Sequence, residues 1–323
     1  MKAIVQDRYG SPDVLELRDI EQPVPGDDEV LIQVRAAGVD PGVWHLMTGL
    51  PYLVRVMGYG LAKPKNGVRG RDVAGRVEAV GKHVTRFRPG DDVFGTCEGS
   101  FAEFATARQD RLALKPAIVS FEEASAVPIS GITALQAVRD KGRVGPGQKV
   151  LIIGAGGGVG TYAVQIAKAL GAEVTGVCST SKLELVRSLG ADHVIDYTLE
   201  DFAEGSIRYD VIIDNAGNRS LTRVRSSLTR KGILVIVGGE EGGQWVGPAN
   251  RLLPAILLSP FVTQELKVLM ATEGKEDLEV LAEMIETGKV RPIVGRTYPL
   301  IEAPEAVRYV GEGHALGKVV VTV

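Results

Sequence analysis

A glycine-rich turn is the strongest chemical signal in the sequence. Residues 154–160 read Gly-Ala-Gly-Gly-Gly-Val-Gly. They have the spacing of a dinucleotide fingerprint with Ala in place of its first glycine. Such a turn lets the backbone approach a pyrophosphate, and the following helix N-terminus supplies N–H donors and a positive dipole end. The expected pyrophosphate contacts are Ala155, Gly156, Gly157, Gly158, Val159 and Gly160.

The end of the next strand-like run bears on which dinucleotide is bound. An NAD site places a carboxylate there to hydrogen-bond the ribose hydroxyls, whereas this run continues into Ser179, Thr180, Ser181 and Lys182. A carboxylate would repel a 2′-phosphate, while hydroxyls and a lysine can bind one. A lysine at a helix start also opposes the helix dipole, which favours an anionic partner. The pattern predicts NADPH, although Ser179 and Ser181 could serve only as caps of the next helix.

An alternation of strands and helices positions this turn. A continuous apolar strand at 149–153 precedes it, and a helix over 159–170, closed by a glycine, follows it. Further strand-like runs lie at 173–177, 193–195, 209–214 and 232–237. This βαβ alternation predicts a doubly wound parallel sheet within residues 125–265.

The first third of the chain has a different pattern. Short runs with period-two alternation, such as 73–81, are separated by Gly/Pro turns, which is typical of a β barrel or sandwich. The last run, 318–323, has no helix behind it and is expected to return to that β domain. We therefore expect a β domain from 1–124 and 266–323, with the cofactor domain of 125–265 inserted into it.

Composition excludes several functions. The 323 residues carry 37 Lys+Arg and 40 Asp+Glu, a net charge of −3, which disfavours nucleic-acid binding and polybasic membrane anchoring. The two cysteines, Cys97 and Cys178, cannot form a disulfide framework or a four-cysteine zinc site. Early charges interrupt any signal-peptide core, and the apolar run 255–262 is shorter than the roughly 20 residues of a bilayer span. The expectation is a soluble, cytoplasmic protein without a membrane span.

The combined motifs resemble a known family. The turn at 145–148 (Gly-Pro-Gly-Gln), the glycine-rich turn and the helix run 164–172 are similar to the medium-chain dehydrogenase/reductase superfamily. So are Gly-Arg-Asp at 70–72 and Arg-Pro-Gly-Asp-Asp at 88–92. The resemblance covers essentially the whole chain. It implies an α/β fold, with a Rossmann doubly wound parallel sheet inserted in a GroES-like β-barrel-type catalytic domain.

The resemblance also separates zinc-dependent from zinc-free members. Zinc members carry a cysteine after an early strand, a Gly-His-Glu motif and a lobe of four cysteines; here Asp40 and Arg71 stand at the cysteine and histidine positions. A catalytic zinc needs neutral His or thiolate ligands, and a cationic arginine at a ligand position would repel the ion. No metal is expected. The chain looks like the zinc-free quinone oxidoreductase branch, with its zeta-crystallin-like and enoyl reductases, which transfer hydride from NADPH to a conjugated carbonyl.

Further cofactor contacts are implied by the resemblance. Each would approach a particular part of the dinucleotide. They are Thr133 (nicotinamide ribose), Tyr197 (adenosine phosphate, with Lys182), Asn215 and Gly217 (adenine side), Val237, Gly238 and Gly239 (ribose and nicotinamide), and Lys318 (ribose or phosphate).

Reduction of a conjugated carbonyl needs a hydrogen-bond donor or a proton for the developing enolate. His45 could donate a proton directly or through water, and Tyr52 could hydrogen-bond the carbonyl oxygen. Asp40, which stands where the branch usually has Asn, could orient either of them. A packed structural histidine is the alternative for His45, and water could be the proton source.

Two apolar stretches leave alternatives open. Residues 50–66 could form a lid or wall of a hydrophobic acceptor site, and 252–258 could line such a site or form a dimer contact; simple packing is the alternative for both. The sequence predicts a homodimer that reduces quinones or α,β-unsaturated carbonyl compounds (enones and enals) with NADPH. The alternatives are a crystallin-like or interaction protein that binds the cofactor with little turnover, and a zinc-free alcohol or aldehyde dehydrogenase.

Overall fold

The computed structural model describes residues 1–238, 243, 249–313 and 315–323, and the side chains of all of these except 249–253. The strands are β1 (Lys2–Val5), β2 (Glu16–Asp19), β3 (Glu29–Val39), β4 (Asp72–Val80), β5 (Asp92–Thr96), β6 (Phe104–Arg108), β7 (Leu112–Leu114), β8 (Lys149–Ile153), β9 (Glu173–Cys178), β10 (His193–Asp196), β11 (Tyr209–Asp214), β12 (Leu228–Ile236), β13 (Glu265–Val268), β14 (Val294–Pro299) and β15 (Lys318–Thr322). The helices are α1 (Pro41–Thr48), α2 (Tyr52–Val54), α3 (Phe121–Ser125), α4 (Pro128–Leu135), α5 (Gly158–Ala169), α6 (Leu183–Ser188), α7 (Leu221–Ser226), α8 (Ala249–Leu258), α9 (Lys275–Glu286) and α10 (Ala303–Gly311). Short 3-10 or π turns lie at Pro12–Val14, Arg55–Tyr59, Gln109–Arg111, Gln136–Lys141, Thr180–Lys182, Ser259–Phe261 and Leu300–Glu302.

The chain divides into two compact units. The first contains Met1–Ile132 and Glu273–Val323, and the second contains Thr133–Thr272. The chain passes from one unit to the other after Ile132 and after Thr272. These boundaries lie eight and seven residues later than the predicted ones at 124/125 and 265/266. The first is later because α3 packs on β3 and β4 of the first unit. The second is later because β13 still belongs to the sheet of the second unit.

The first unit is built on a sheet in the order β14-β15-β3-β4-β5-β7, with β6 paired to β3. The C-terminal strand β15 pairs antiparallel with β3, so that Val319 lies opposite Val39. The expected return of this strand to the β-rich part is therefore confirmed. β3 contributes to two cores: its first half buries Ile32 with Phe87, and its second half buries Val39 with Met47.

The second unit is a parallel sheet in the order β10-β9-β8-β11-β12-β13, and every strand pair in it is parallel. β8 lies at its centre, and Val150, Leu151 and Ile152 are fully buried, which explains the continuous apolar run. Strand succession reverses between β8 and β11, and open sheets of this kind bind ligands at the carboxyl ends of the strands around that point.

α1 is an element that the sequence analysis did not assign. Asp40 caps its N-terminus, Pro41 occupies its first position, and Gly49 ends it with a φ of 63°, all of which are ordinary helix signals. The predicted capping box at Ser120 and Glu123 is confirmed at the start of α3. Within the described residues, no helix has both the length and the apolar composition needed to cross a membrane.

Candidate functional site

The glycine-rich turn joins β8 to α5 in the second unit. Gly154 has a left-handed φ of 79°, and the N–H groups of Gly154 and Ala155 donate to Val177 O at 3.0 and 2.9 Å. A Cβ at Gly160 would lie 2.1 Å from the Gly154 carbonyl oxygen, so the position requires glycine. The N-cap of α5, Gly157, forms no side-chain cap, which leaves the first N–H groups of the helix for an external anion.

The turn after β9 brings Lys182 against the glycine-rich turn. Its aliphatic chain packs so closely that a Cβ at Gly156 would lie 2.7 Å from Lys182 Cδ, and burial lowers the pKa of Lys182. Ser179 and Ser181 share this turn, with their hydroxyl oxygens 3.4 Å apart. Neither serine caps α6: its N-cap is Lys182, and no side-chain cap is formed. The capping alternative is therefore not what the structure shows.

A carboxylate that sequence reasoning overlooked lies beside the same turn. Asp196, the last residue of β10, accepts hydrogen bonds from Thr180 Oγ1 at 2.5 Å and from N and Oγ1 of Thr198 at 2.9 and 2.7 Å. These bonds hold the pKa of Asp196 below its usual range. Sheet pairing places Asp196 opposite Cys178. The hydroxyl of Thr180 is thus committed to this carboxylate, and Ser179, Ser181 and Lys182 remain the candidates for a phosphate.

A pocket opens at the carboxyl ends of the parallel strands. Its cavity volume is only about 40 Å³. It contains the expected Tyr197, whose side chain is exposed. The other lining residues are Ile153, Gly154, Val177, Glu200, Phe202, Ala216, Asn218 and Arg219. The sequence analysis named neither Asn218 nor Arg219. Asn218 and Arg219 directly follow the predicted Asn215 and Gly217, so their place in the loop after β11 was the feature of the sequence that could have identified them.

Asn215 offers an acceptor at the centre of this edge. Its Nδ2 donates to Ile153 O at 3.1 Å, and its Cβ lies 3.5 Å from the point where a Cβ on Gly154 would be. Its Oδ1 is buried and has no hydrogen-bond partner among the described residues. A buried acceptor without a donor is costly, and a ribose hydroxyl would satisfy it. The unpaired Oδ1, the glycine turn and the bare helix N-terminus therefore fit a dinucleotide.

Asp214 organises the loops that follow β11 and β12. Its Oδ1 accepts from Gly217 N at 3.0 Å, and its carbonyl oxygen accepts from Val237 N at 3.0 Å and Gly238 N at 3.4 Å. Thus Gly217, Val237 and Gly238 lie on the same edge as the glycine-rich turn, as a cofactor path there requires. Gly239 lies outside the described residues.

Thr133 lies on α4 and is half-buried. It is the first residue of the second unit.

The candidates for acceptor chemistry all belong to the first unit: Asp40 and His45 at the N-cap and on α1, and Tyr52 at the start of α2. Asp40 Oδ1 accepts from Gly42 N at 2.7 Å as the cap of α1, while its Oδ2 is buried without a partner among the described residues. His45, on α1, has Nδ1 2.8 Å from Leu50 O. Since a carbonyl only accepts, Nδ1 carries a hydrogen, and the neutral ring has its lone pair at Nε2. Asp40 thus caps the helix that carries His45, and its second oxygen reaches neither His45 nor Tyr52.

Lys318 has a partner that the sequence did not reveal. Its Nζ lies 2.9 Å from Asp72 Oδ2, and the two side chains are 2% and 0% exposed. Burial raises the pKa of Asp72, and the ammonium of Lys318 opposes this shift. Burial lowers the pKa of Lys318, but Asp72 and Asp40 outweigh it and raise the pKa above its usual value. An ammonium occupied in this way is not presented to a ribose or phosphate, so we remove Lys318 from the candidate cofactor contacts.

The position expected for a zinc ligand holds a second charged cluster. Arg71 and Arg111 both donate to the carboxylate of Glu273, which also accepts from Thr96 Oγ1 at 2.7 Å. Cys97 is buried, and burial raises the pKa of its thiol. Among the described residues, no group of three or more His, Cys, Asp or Glu side chains is arranged to hold a metal ion.

Comparison with known proteins identifies the family. Residues 26–117 match an alcohol dehydrogenase GroES-like domain, and residues 189–321 match a zinc-binding dehydrogenase domain. A chloroplast envelope quinone oxidoreductase homolog of Arabidopsis thaliana is 30% identical, over 99% of this chain and 98% of its own. The chain belongs to the medium-chain dehydrogenase/reductase superfamily, in its quinone oxidoreductase branch.

Other relatives agree with this assignment. A 2-methylene-furan-3-one reductase of Solanum lycopersicum is 32% identical, over 99% of this chain and 79% of its own. The structure of Escherichia coli quinone oxidoreductase complexed with NADPH matches with a TM-score of 0.84 and 25% identity, over 100% of both chains. The expected fold, a GroES-like domain with an inserted parallel α/β sheet, is therefore confirmed, and the protein is an NAD(P)H oxidoreductase of this family.

Proposed function

We propose that this oxidoreductase uses NADPH to reduce quinones or α,β-unsaturated carbonyl compounds, and that it does so without zinc. The observation that carries the cofactor preference is the packing of Lys182 on the glycine-rich turn. An ammonium held there, beside the hydroxyls of Ser179 and Ser181, offers charge-assisted hydrogen bonds to a 2′-phosphate. The nearby carboxylate of Asp196 accepts hydrogen bonds from Thr180 and Thr198, which hold it in place but leave it charged, so the ammonium of Lys182 has to outweigh its repulsion of that phosphate.

The remaining contacts follow from the same strand edge. The N-terminus of α5 would hold the pyrophosphate, and Asn215 Oδ1 would accept from a ribose hydroxyl. Tyr197 lines the neighbouring pocket and would bound the adenosine end. Thr133, Gly217, Val237 and Gly238 complete the proposed set. When bound, the reduced nicotinamide supplies the hydride.

His45 and Tyr52 would serve the acceptor. As hydride reaches the β-carbon of an enone or a quinone carbonyl system, negative charge develops on oxygen and must be met by a hydrogen bond or a proton. The Tyr52 hydroxyl would donate to that oxygen. His45 would deliver a proton only as the imidazolium, because in the neutral ring the hydrogen on Nδ1 faces Leu50 O. Asp40 would act by holding the start of α1.

The proposed zinc independence rests on the residues of this chain and not on its family, because the domain that residues 189–321 match is named for zinc binding. Arg71 stands where a neutral ligand would be needed, and it is held as a cation by Glu273. The nearby Cys97 thiol resists ionisation because it is buried, and zinc binds the thiolate.

A substrate panel tests the proposed reaction. NADPH absorbance is followed with quinones, enones, enals and simple aldehydes, alongside NADPH binding in the absence of acceptor. We expect oxidation with quinones or enones. Binding without oxidation across the panel would contradict the proposal and favour a cofactor-binding protein, and turnover confined to simple aldehydes would favour an alcohol dehydrogenase.

We also propose that the protein forms a homodimer through the second unit. Among the described residues, β13 is the last strand of its sheet, and Phe261, Leu257 and Ile256 beside it are 83%, 69% and 55% exposed. Unpaired strand edges and clustered apolar side chains invite a second copy. Sedimentation velocity should give a dimer that Phe261→Ser with Leu257→Ser weakens. A monomeric wild type would contradict this.

A cytoplasmic location stays a prediction that cell fractionation can test.

A further inference from the structure

An exposed apolar and basic segment of the first unit has no role in the site described above. Of the sixteen exposed large hydrophobic side chains in the described residues, five lie between 53 and 61. Val56, Met57 and Leu61 are 71%, 59% and 72% exposed. Lys63 and Lys65 follow them and are exposed as well. We call residues 53–65 the apolar-basic segment.

The apolar-basic segment is held in place by its polar anchors. The guanidinium of Arg55 lies between two aromatic rings, 4.3 Å from that of Tyr9 and 4.8 Å from that of Tyr52, and its Nε donates to Gly49 O at 2.9 Å. The hydroxyl of Tyr9 lies 2.6 Å from Gly60 O. The anchors point inward and the aliphatic tips point outward. Because the anchors already hold the segment in this conformation, binding would lose little further conformational entropy.

The charge of this part of the chain is one-sided. Residues 41–71 contain five Lys or Arg and no Asp or Glu, although the whole chain has a net charge of −3. Lys63 and Lys65 have no ion-pair partner within 4.0 Å among the described residues. Of the five basic residues, Arg69 is buried and Arg71 is paired with Glu273, so the exposed positive charge beside the apolar tips is that of Lys63 and Lys65.

We propose that the apolar-basic segment docks the protein on an anionic lipid surface. Val56, Met57 and Leu61 would enter the boundary between headgroups and acyl chains, and Lys63 and Lys65 would contact anionic headgroups. Exposed aliphatic side chains beside cations are the pattern that binds such surfaces. This mode needs neither a membrane-spanning helix nor a lipid anchor.

A lipid surface accounts for both features of the segment. A hydrophobic acceptor bound beneath a lid would account for apolar side chains that face the protein, but not for aliphatic tips directed to solvent. It would also leave the two lysines unexplained unless the acceptor were itself anionic. Docking would present the protein to quinones dissolved in a bilayer. That consequence rests on the proposed function, whereas the docking itself does not.

Vesicle flotation tests the docking without requiring turnover. Wild-type protein is mixed with vesicles of phosphatidylcholine alone or of equimolar phosphatidylcholine and phosphatidylglycerol. Two variants remove one feature each: Val56→Ser with Met57→Ser, and Lys63→Gln with Lys65→Gln. Ile118→Ser with Ile301→Ser is the matched control, because these side chains are 66% and 64% exposed in the same unit. Unfolding midpoints and NADPH binding verify that each variant is folded.

We expect wild type and control to float with the anionic vesicles but not with phosphatidylcholine alone. Loss of both lysines should weaken vesicle binding about 25-fold, at about fivefold per charge. Added salt should also weaken vesicle binding, because it screens the attraction between the lysines and the anionic headgroups. The serine variant should lose flotation at any salt concentration. Three results would each overturn the proposal: no flotation of wild type, flotation of both segment variants, or equal loss in the control. So would a segment variant that only raises KM for a water-soluble quinone while vesicle binding is unchanged.

Discussion

The ion pair between Lys318 and Asp72 gives a prediction that separates a structural role from a cofactor contact. Both side chains are essentially inaccessible, and Nζ lies 2.9 Å from Oδ2. Lys318→Met removes the ammonium and leaves the carboxylate buried, with the N–H of Ile129 as its other donor at 2.8 Å. Breaking a buried pair in this way costs about 3–5 kcal/mol of unfolding free energy. Lys318→Met with Asp72→Asn removes both charges and keeps an acceptor for Ile129, so it should recover about 2 kcal/mol.

Thermal and urea unfolding measure this effect, with NADPH affinity titrated in parallel. The expected loss corresponds to a fall in Tm on the order of 10 °C. Lys231→Met, at an exposed lysine of β12, is the matched control and should unfold as wild type does. Because burial raises the pKa of Asp72, a protonated Asp72 favours the folded state. The stability that this raised pKa contributes is present at low pH and lost as the pH rises through it. The ammonium of Lys318 opposes this shift in the wild type, so the pKa of Asp72 is raised further in Lys318→Met, and the deficit of the variant should shrink as the pH falls toward about 4.

The opposite pattern would refute the structural reasoning. If Lys318 contacts the cofactor, the variant should unfold within about 1 kcal/mol of wild type while its affinity for NADPH falls tenfold or more. An unchanged affinity with a large loss of stability supports the buried pair.

The other predictions concern the glycine turn, the acidic neighbour of Thr180 and the metal. Gly160→Ala should destabilise the protein by about 1–3 kcal/mol, since its Cβ would clash with the backbone. Gly157→Ala should fold normally, because its Cβ would lie 3.5 Å from Gly154 O. Denaturant unfolding compares the two variants. Thr198→Val removes a hydrogen bond that lowers the pKa of Asp196, so its loss of stability should be present at neutral pH and fade as the pH falls below about 4. Metal analysis should find no stoichiometric zinc, and chelation should leave NADPH oxidation unchanged; bound zinc lost together with activity would contradict this.

Local patterns predicted the cofactor unit well. β8, the glycine-rich turn and α5 follow one another in the chain, and each has its own signal: a continuous apolar run, glycine spacing and a glycine stop. Their bounds agree to within one residue with 149–153 and 159–170. α1 carried signals of the same kind in Asp40, Pro41 and Gly49, and it was missed because that stretch was compared only with a ligand motif.

Contacts between distant parts of the chain could not be found in this way. Lys318 and Asp72 are 246 residues apart, and Arg71 and Glu273 are 202 apart. No local pattern distinguishes a lysine that contacts a phosphate from one that neutralises a buried carboxylate, because both tasks require only a cation next to a strand. Asp196 was overlooked for a related reason, since only the pairing of β10 with β9 brings it to Thr180.

The preference for NADPH over NADH, measured in wild type and in Lys182→Ala, tests whether Lys182 binds the 2′-phosphate. We expect a higher kcat/KM with NADPH in wild type. The variant should lose about 10- to 100-fold with NADPH, the value of a hydrogen bond to a charged group, and little with NADH, while Lys231→Ala retains the preference. Equal or better turnover of the wild type with NADH, or an unchanged preference in Lys182→Ala, would contradict this role of Lys182.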